Sequence, residues 1–196
     1  MTATPLEYCL LGLIADGKHS GYDLRMILAN TPMRQFSSSP GSIYPALRRL
    51  EQRRWIAGNQ DKAHPRRRTS FRITAHGRKA LVTWLRTPVT ADDVIYRWPE
   101  LMLRLAFLHL LKDEAALGRL IEDLTRELGV YASSLKNYVR SSTRDFHPGS
   151  RLAVEAGLAG YEALFEWSKK AAKAKRRGPA KAAKDRQHRA GNRKNH

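Results

Sequence analysis

Cysteine is nearly absent from these 196 residues: Cys9 is the only one, so no intrachain disulfide can form, and its place within a helical pattern reads as a buried thiol rather than a redox switch. No stretch of eighteen apolar residues is present to cross a membrane, and the first residues lack a basic segment followed by a hydrophobic core and a cleavage site. A cytoplasmic location, associated with the bacterial nucleoid, is the expectation. Chemistry-bearing patterns are also missing. The histidines at 19, 64, 76, 109, 147, 188 and 196 have no paired metal-ligand spacing, and no Gly-rich phosphate loop follows a strand. Asp92-Asp93 and Glu122-Asp123 are neighbours in sequence, and the second pair suits a solvated helix face better than acid–base work. The pattern argues against an enzyme and predicts neither cofactor nor metal.

Acidic residues are scarce, and that scarcity introduces what is abundant. There are 36 Lys plus Arg against 18 Asp plus Glu, a net charge of +18, so the chain is drawn to polyanions whatever their sequence. The excess is concentrated at one end: from Lys169 to His196 there are twelve Lys or Arg and a single Asp. That segment has no apolar face beyond alanines and contains Gly178-Pro179, which predicts a disordered tail over 171–196. It reads as a non-specific DNA-binding arm or as a soluble extension.

Ser39 to Gly58 is the most telling stretch. Ser39 is a good N-cap and Pro40 suits the first helical position, leaving backbone N–H groups at an end that favours a phosphate or a groove. Ile43, Leu47 and Leu50 form one apolar face, opposite Ser42, Pro45, Arg49 and Gln52. Pro45 removes a helical hydrogen bond, which calls for either a later helix start or a local kink. Two helices precede this one. Thr4-Pro5-Leu6-Glu7 is a capping box ahead of Leu10, Leu13 and Ile14, and Ser20 can cap a helix with Leu24, Ile27 and Leu28 that ends before Thr31-Pro32. Trp55-Ile56-Ala57 and the alternating Thr69–Ile73 read as two strands around a basic loop, a wing, and Thr74 then caps a fourth helix that Thr87-Pro88 closes.

In that order the chain resembles the winged-helix domain of the PadR family of bacterial transcriptional regulators. The resemblance covers residues 6 to 85 and is carried by LGLIADGKHSGYDL (Leu11–Leu24), SPGSIYPALRRLEQ (Ser39–Gln52) and RRTSFRITAHGRKAL (Arg67–Leu81). His64-Pro65 and Arg66-Arg67-Arg68 depart from the family pattern in a normally variable part of the wing. Ser39, Ser42, Pro45 and Arg49 are the expected base-reading residues, with Ser42 and Arg49 foremost. Tyr22 and Tyr44 match family tyrosines and suit either phosphate contact or packing between helices. Arg66, Arg67, Arg68 and Arg72 are expected at phosphates or the minor groove.

Beyond the wing the pattern changes. Leu101, Leu105, Leu108 and Leu111 mark a short apolar helix, and Asp113 can cap a longer one. On that longer helix Leu117, Ile121, Leu124, Leu128, Tyr131, Leu135 and Tyr138 repeat in steps of four and three, a heptad seam. After His147-Pro148-Gly149 a last helix carries Val154, Leu158, Tyr161, Leu164 and Phe165, with Gly157 and Gly160 suggesting close backbone packing. Burying these seams at roughly 25 cal/mol per Å² of apolar surface favours a homodimer, the competing use being packing within the chain.

The expected fold is mainly α: an α+β winged helix-turn-helix with a two-stranded wing over 1–87, a linker over 88–97, an all-α dimerisation and effector-response segment over 98–170, and the tail. The expected function is a dimeric, sequence-specific regulator on a pseudo-palindromic operator in double-stranded DNA. The resemblance further implies repression relieved by a small hydrophobic or aromatic effector, with Trp98, Tyr161, Phe165 and Trp167 as cleft candidates. The rival reading is an architectural protein that coats DNA without choosing sites.

Overall fold

The computed structural model describes residues 3–17, 19–60, 69–142 and 146–176. Each of the four helices expected in the first half forms where its cap stands. Helix α1 (Pro5–Asp16) starts at Thr4, whose hydroxyl accepts from Glu7 N while the Glu7 carboxylate accepts from Thr4 N. Helix α2 (Gly21–Asn30) repeats the device with Ser20 and Asp23. Ser39 caps α3 (Pro40–Gln52) through Gly41 N, and Thr74 caps α4 (Ala75–Leu85) through Gly77 N. The helix α3 runs unbroken through Pro45 from Pro40 onward. A 3₁₀ turn over Pro32–Phe36, capped by Thr31, joins α2 to α3.

The sheet has one strand more than the wing required. Strands β2 (Ile56–Gln60) and β3 (Thr69–Ile73) pair antiparallel, Gly58 facing Phe71, and the two-residue β1 (His19–Ser20) adds to the other side of β3. Two residues are too few to show an alternation, so β1 is invisible to a periodicity argument. The wing loop with Arg66, Arg67 and Arg68 lies outside the described residues.

The chain divides into two compact units. The first comprises Met1–Thr87 together with Arg97–Asp113. Its core joins Leu10 and Leu11 of α1, Leu24 and Leu28 of α2, Ile43, Leu47 and Leu50 of α3, and Leu81 and Leu85 of α4, all buried. Each such side chain contributes about 1.5–3 kcal/mol by leaving water. Helix α6 (Trp98–Phe107) belongs to this core through Leu103 and Phe107, the Phe107 ring lying where a Cβ on Gly12 would go. The sequence division at residue 98 therefore does not follow the packing: α6 is part of the winged-helix unit. Arg104, buried on α6, donates to the Thr87 carbonyl and ties α6 to the end of α4.

The second unit holds Pro88–Tyr96 and the chain from Glu114 onward. Residues 88–97, expected as a linker, contain α5 (Ala91–Tyr96), because Thr90 and Asp93 form a further capping box. Helix α7 (Ala116–Ser142) begins two residues later than a cap at Asp113 requires, and packs along α8 (Pro148–Arg176) as a hairpin. Helix α8 carries six residues of the stretch expected to be disordered, through Arg176; 177–196 lie outside the described residues. Among the described residues no helix is long and apolar enough to cross a membrane, and no three His, Cys, Asp or Glu side chains converge as a metal site.

Candidate nucleic-acid interface

Burial decides which side of α3 is free. Ala46 is buried together with Ile43, Leu47 and Leu50. At 3.6 residues per turn that centres the exposed face on Gly41, Pro45, Arg48 and Gln52. Ser42 and Arg49 fall on the flank toward α1. Ser42 is half-buried, and Arg49 donates through Nε to Glu7 Oε1 at 2.5 Å. Glu7 is 1% exposed, and its other oxygen lies 4.0 Å from Arg53 as well as accepting from Thr4 N. Arg49 is thus engaged with α1, whereas its neighbour Arg48, absent from the sequence-based set, stands on the open face. The periodic reading missed Arg48 because an alanine was not counted toward the apolar side.

Ser39 is exposed, but its hydroxyl already serves Gly41 N. Pro45 is exposed at the centre of the free face. Tyr22 and Tyr44, 49% and 44% exposed, both line a cleft of about 390 Å³ where the start of α2, the side of α3 and the edge of β3 meet. The Tyr44 ring lies against Gly21, 2.8 Å from where a Cβ on that residue would stand, so the tyrosine packs between helices and still presents surface. Arg48 and Glu51 give the cleft charges of both signs, which distinguishes it from a bare anion pocket. Arg72 is exposed on the opposite face of β3 from buried Phe71, beside Gly58, Asn59 and Ser70. Strand alternation alone places that arginine outward.

The seam residues have a partner inside the chain. Ile121, Leu124 and Leu128 are buried in the second unit, Tyr131 and Leu135 are half-buried, and Leu117 and Tyr138 are exposed. Tyr131 meets Tyr161 edge-on at 4.5 Å, and Phe165 lies against Gly129, 2.9 Å from where its Cβ would be. Two of the effector-cleft residues, Tyr161 and Phe165, are therefore spent on the hairpin; the Tyr161 hydroxyl also reaches the Val94 carbonyl at 3.5 Å, and burial pushes its phenol up, aided by Tyr131 and Tyr96. Trp167 is 38% exposed on α8, while Trp98 is half-buried at the start of α6 in the first unit. Beyond the backbone of α8 itself, no atom of the described residues lies within 4 Å of a Cβ built at Gly157 or Gly160, so the close packing those glycines suggested is not made among the described residues.

Residues 10–83 match the family model described as the transcriptional regulator PadR-like family, a family of regulators and not of enzymes. Among solved structures, PadR from Bacillus subtilis in complex with operator DNA is 20% identical, with a TM-score of 0.44, over 89% of this chain and 99% of that one. A PadR-like transcriptional regulator from Bacillus cereus is 24% identical, with a TM-score of 0.37, over 87% of this chain and 98% of that one. Bacillus subtilis PadR in complex with p-coumaric acid is 24% identical, with a TM-score of 0.35, over 87% and 95%. No curated protein matches the chain in sequence.

Proposed function

We propose that this chain, whose residues 10–83 are a PadR-like domain, acts as a dimeric, cytoplasmic repressor that reads a pseudo-palindromic operator in double-stranded DNA. One observation carries the DNA reading: the first turn of α2, the flank of α3 that bears Tyr44 and Arg48, and strand β3 meet at a single cleft where Tyr22, Tyr44 and Arg48 are exposed. A recognition helix in a major groove brings its flanking helix and wing to the adjacent phosphates, which is the distribution of polar groups found here. Arg48 takes the base-reading role beside Pro45 and Ser42. Tyr22, Tyr44 and Arg72 serve the backbone, joined by Arg66, Arg67 and Arg68 of the wing loop.

Dimerisation uses the outward face of α8 in this reading. Leu152 is 65% exposed, Trp167 is 38% exposed, and Gly157 and Gly160 leave open backbone between them. Such a face is costly to leave in water. Release by a small hydrophobic or aromatic effector rests on the family resemblance. The effector must bind the non-DNA conformation more tightly, since equal affinity shifts nothing.

The architectural alternative is favoured by Lys169, Lys170 and Lys173 on the last turns of α8, leading into the basic tail. Competition separates the two. Binding to an operator-bearing duplex that survives excess random DNA, and that Arg48→Ala weakens by roughly 1–3 kcal/mol with relaxed sequence preference, supports site reading. Loss of all binding to the competitor supports coating.

A further inference from the structure

Glu7 has no role in the DNA reading above, yet its carboxylate reaches from α1 to a side chain of the recognition helix. It is 1% exposed, and its Oε2 accepts from Thr4 N at 2.8 Å, completing the cap of α1. Its Oε1 takes Arg49 Nε at 2.5 Å, and Oε2 stands 4.0 Å from Arg53 Nη2. Arg53 is held a second time, its guanidinium 5.2 Å from the centre of the Trp55 ring. Arg49 remains 46% exposed, near enough to the open face of α3 to reach a phosphate were it released.

We propose that Glu7 is a positioning residue that sets the salt dependence of DNA binding: by holding Arg49, and more weakly Arg53, it withholds recognition-helix charge from the phosphate backbone. The inference rests on the DNA-binding reading and deepens it. Affinity for random DNA is set almost wholly by the number of phosphates that cations neutralise, and each adds roughly 0.9 to the slope of log affinity against log salt. Affinity for a chosen site also draws on base contacts. A phosphate contact carries no sequence information, so withholding an arginine lowers random and site binding by the same factor and flattens both salt slopes, which restrains polyanion attraction in a chain with a net charge of +18.

The test is Glu7→Gln in the full chain, which keeps an acceptor for Thr4 N and removes the charge. Binding is measured on random duplex and on a selected site across a salt series, with thermal melting to confirm folding. The expected result is a salt slope steeper by about one phosphate contact, roughly 0.9, on both duplexes, with random and site binding tightened by the same factor. Arg49→Met alone leaves the random-DNA slope unchanged, since that arginine is already withheld, and Glu7→Gln with Arg49→Met returns the slope close to that of the parent. If Glu7→Gln does not fold, the double variant is compared with Arg49→Met: a slope steeper by less than one contact, from Arg53, supports the proposal, and identical slopes overturn it. A folded Glu7→Gln protein with an unchanged slope, or with site and random binding weakened equally, also overturns it. Absence of DNA binding by the parent chain would instead overturn the reading on which the proposal stands.

Discussion

The ring of Tyr131 stands edge-on to that of Tyr161 at 4.5 Å, locking α7 to α8 within one copy of the chain. The middle of the heptad seam on α7 is therefore covered within the chain, while Leu117 and Tyr138 near its ends stay exposed. An edge-to-face pair of this kind contributes about 0.5–1.5 kcal/mol beyond the area it buries.

Truncation in the hairpin follows from that closure. Leu128 is fully buried, and Leu128→Ala should cost about 2–5 kcal/mol through lost transfer energy and the cavity left behind. Because the contact is intramolecular, the loss should not depend on protein concentration in a denaturant titration. A loss that vanishes at high concentration would place Leu128 between copies.

Substitution on the outer face of α8 should behave in the opposite manner. Gly157→Ala with Gly160→Ala meets no neighbouring element among the described residues and gains roughly 1 kcal/mol of helix propensity per site. Sedimentation should show a weakened or altered dimer if that face is the contact. An unchanged dimer with a simple gain in melting temperature would move the contact elsewhere.

Gly77 sets a steric limit in the winged helix. A Cβ there would overlap the Trp55 carbonyl, which itself accepts from Thr74 N at 3.0 Å, so neither backbone can yield without losing the α4 cap. Gly77→Ala should destabilise by about 1–3 kcal/mol, read as a fall in melting temperature.

One pH dependence is expected from a surface pair. His109 Nε2 lies 2.9 Å from Asp16 Oδ1, and that hydrogen bond raises the imidazole above its ordinary value of 6.5, against a smaller lowering by burial. A raised folded value means that the stabilisation is fully present below about pH 6.5 and is lost as pH rises through the folded value. Both side chains are more than half exposed, so the effect stays below about 1 kcal/mol. His109→Ala should remove this step from a plot of stability against pH; a step that persists would belong to another group.

The winged helix was legible because its punctuation is chemical. Thr4, Ser20, Ser39 and Thr74 each begin a helix by accepting a backbone N–H, and residues of that type at those spacings have few other uses. Where legibility failed, one residue held two roles or a pattern had two solutions. Glu7 reads in sequence as a cap, and nothing local reveals that its other oxygen reaches across 42 positions to Arg49. Arg48 and Arg49 differ only in whether Ala46 counts as buried. The α7 stripe declares that it is buried and cannot say by what, since α8 and a second copy offer the same apolar surface. Residues 88–97 looked like a connection because a helix of six residues is too short for a periodicity to register.

The most direct test of a dimeric, site-reading regulator is selection from random duplexes by the purified full chain at about physiological salt, where the purely electrostatic attraction is weakened. Enrichment of an inverted repeat with half-sites about one helical turn apart, or a multiple of it, is the expected result. Retention of duplexes without a shared motif would contradict it and make the basic segment beyond Lys169, not α3, the centre of function.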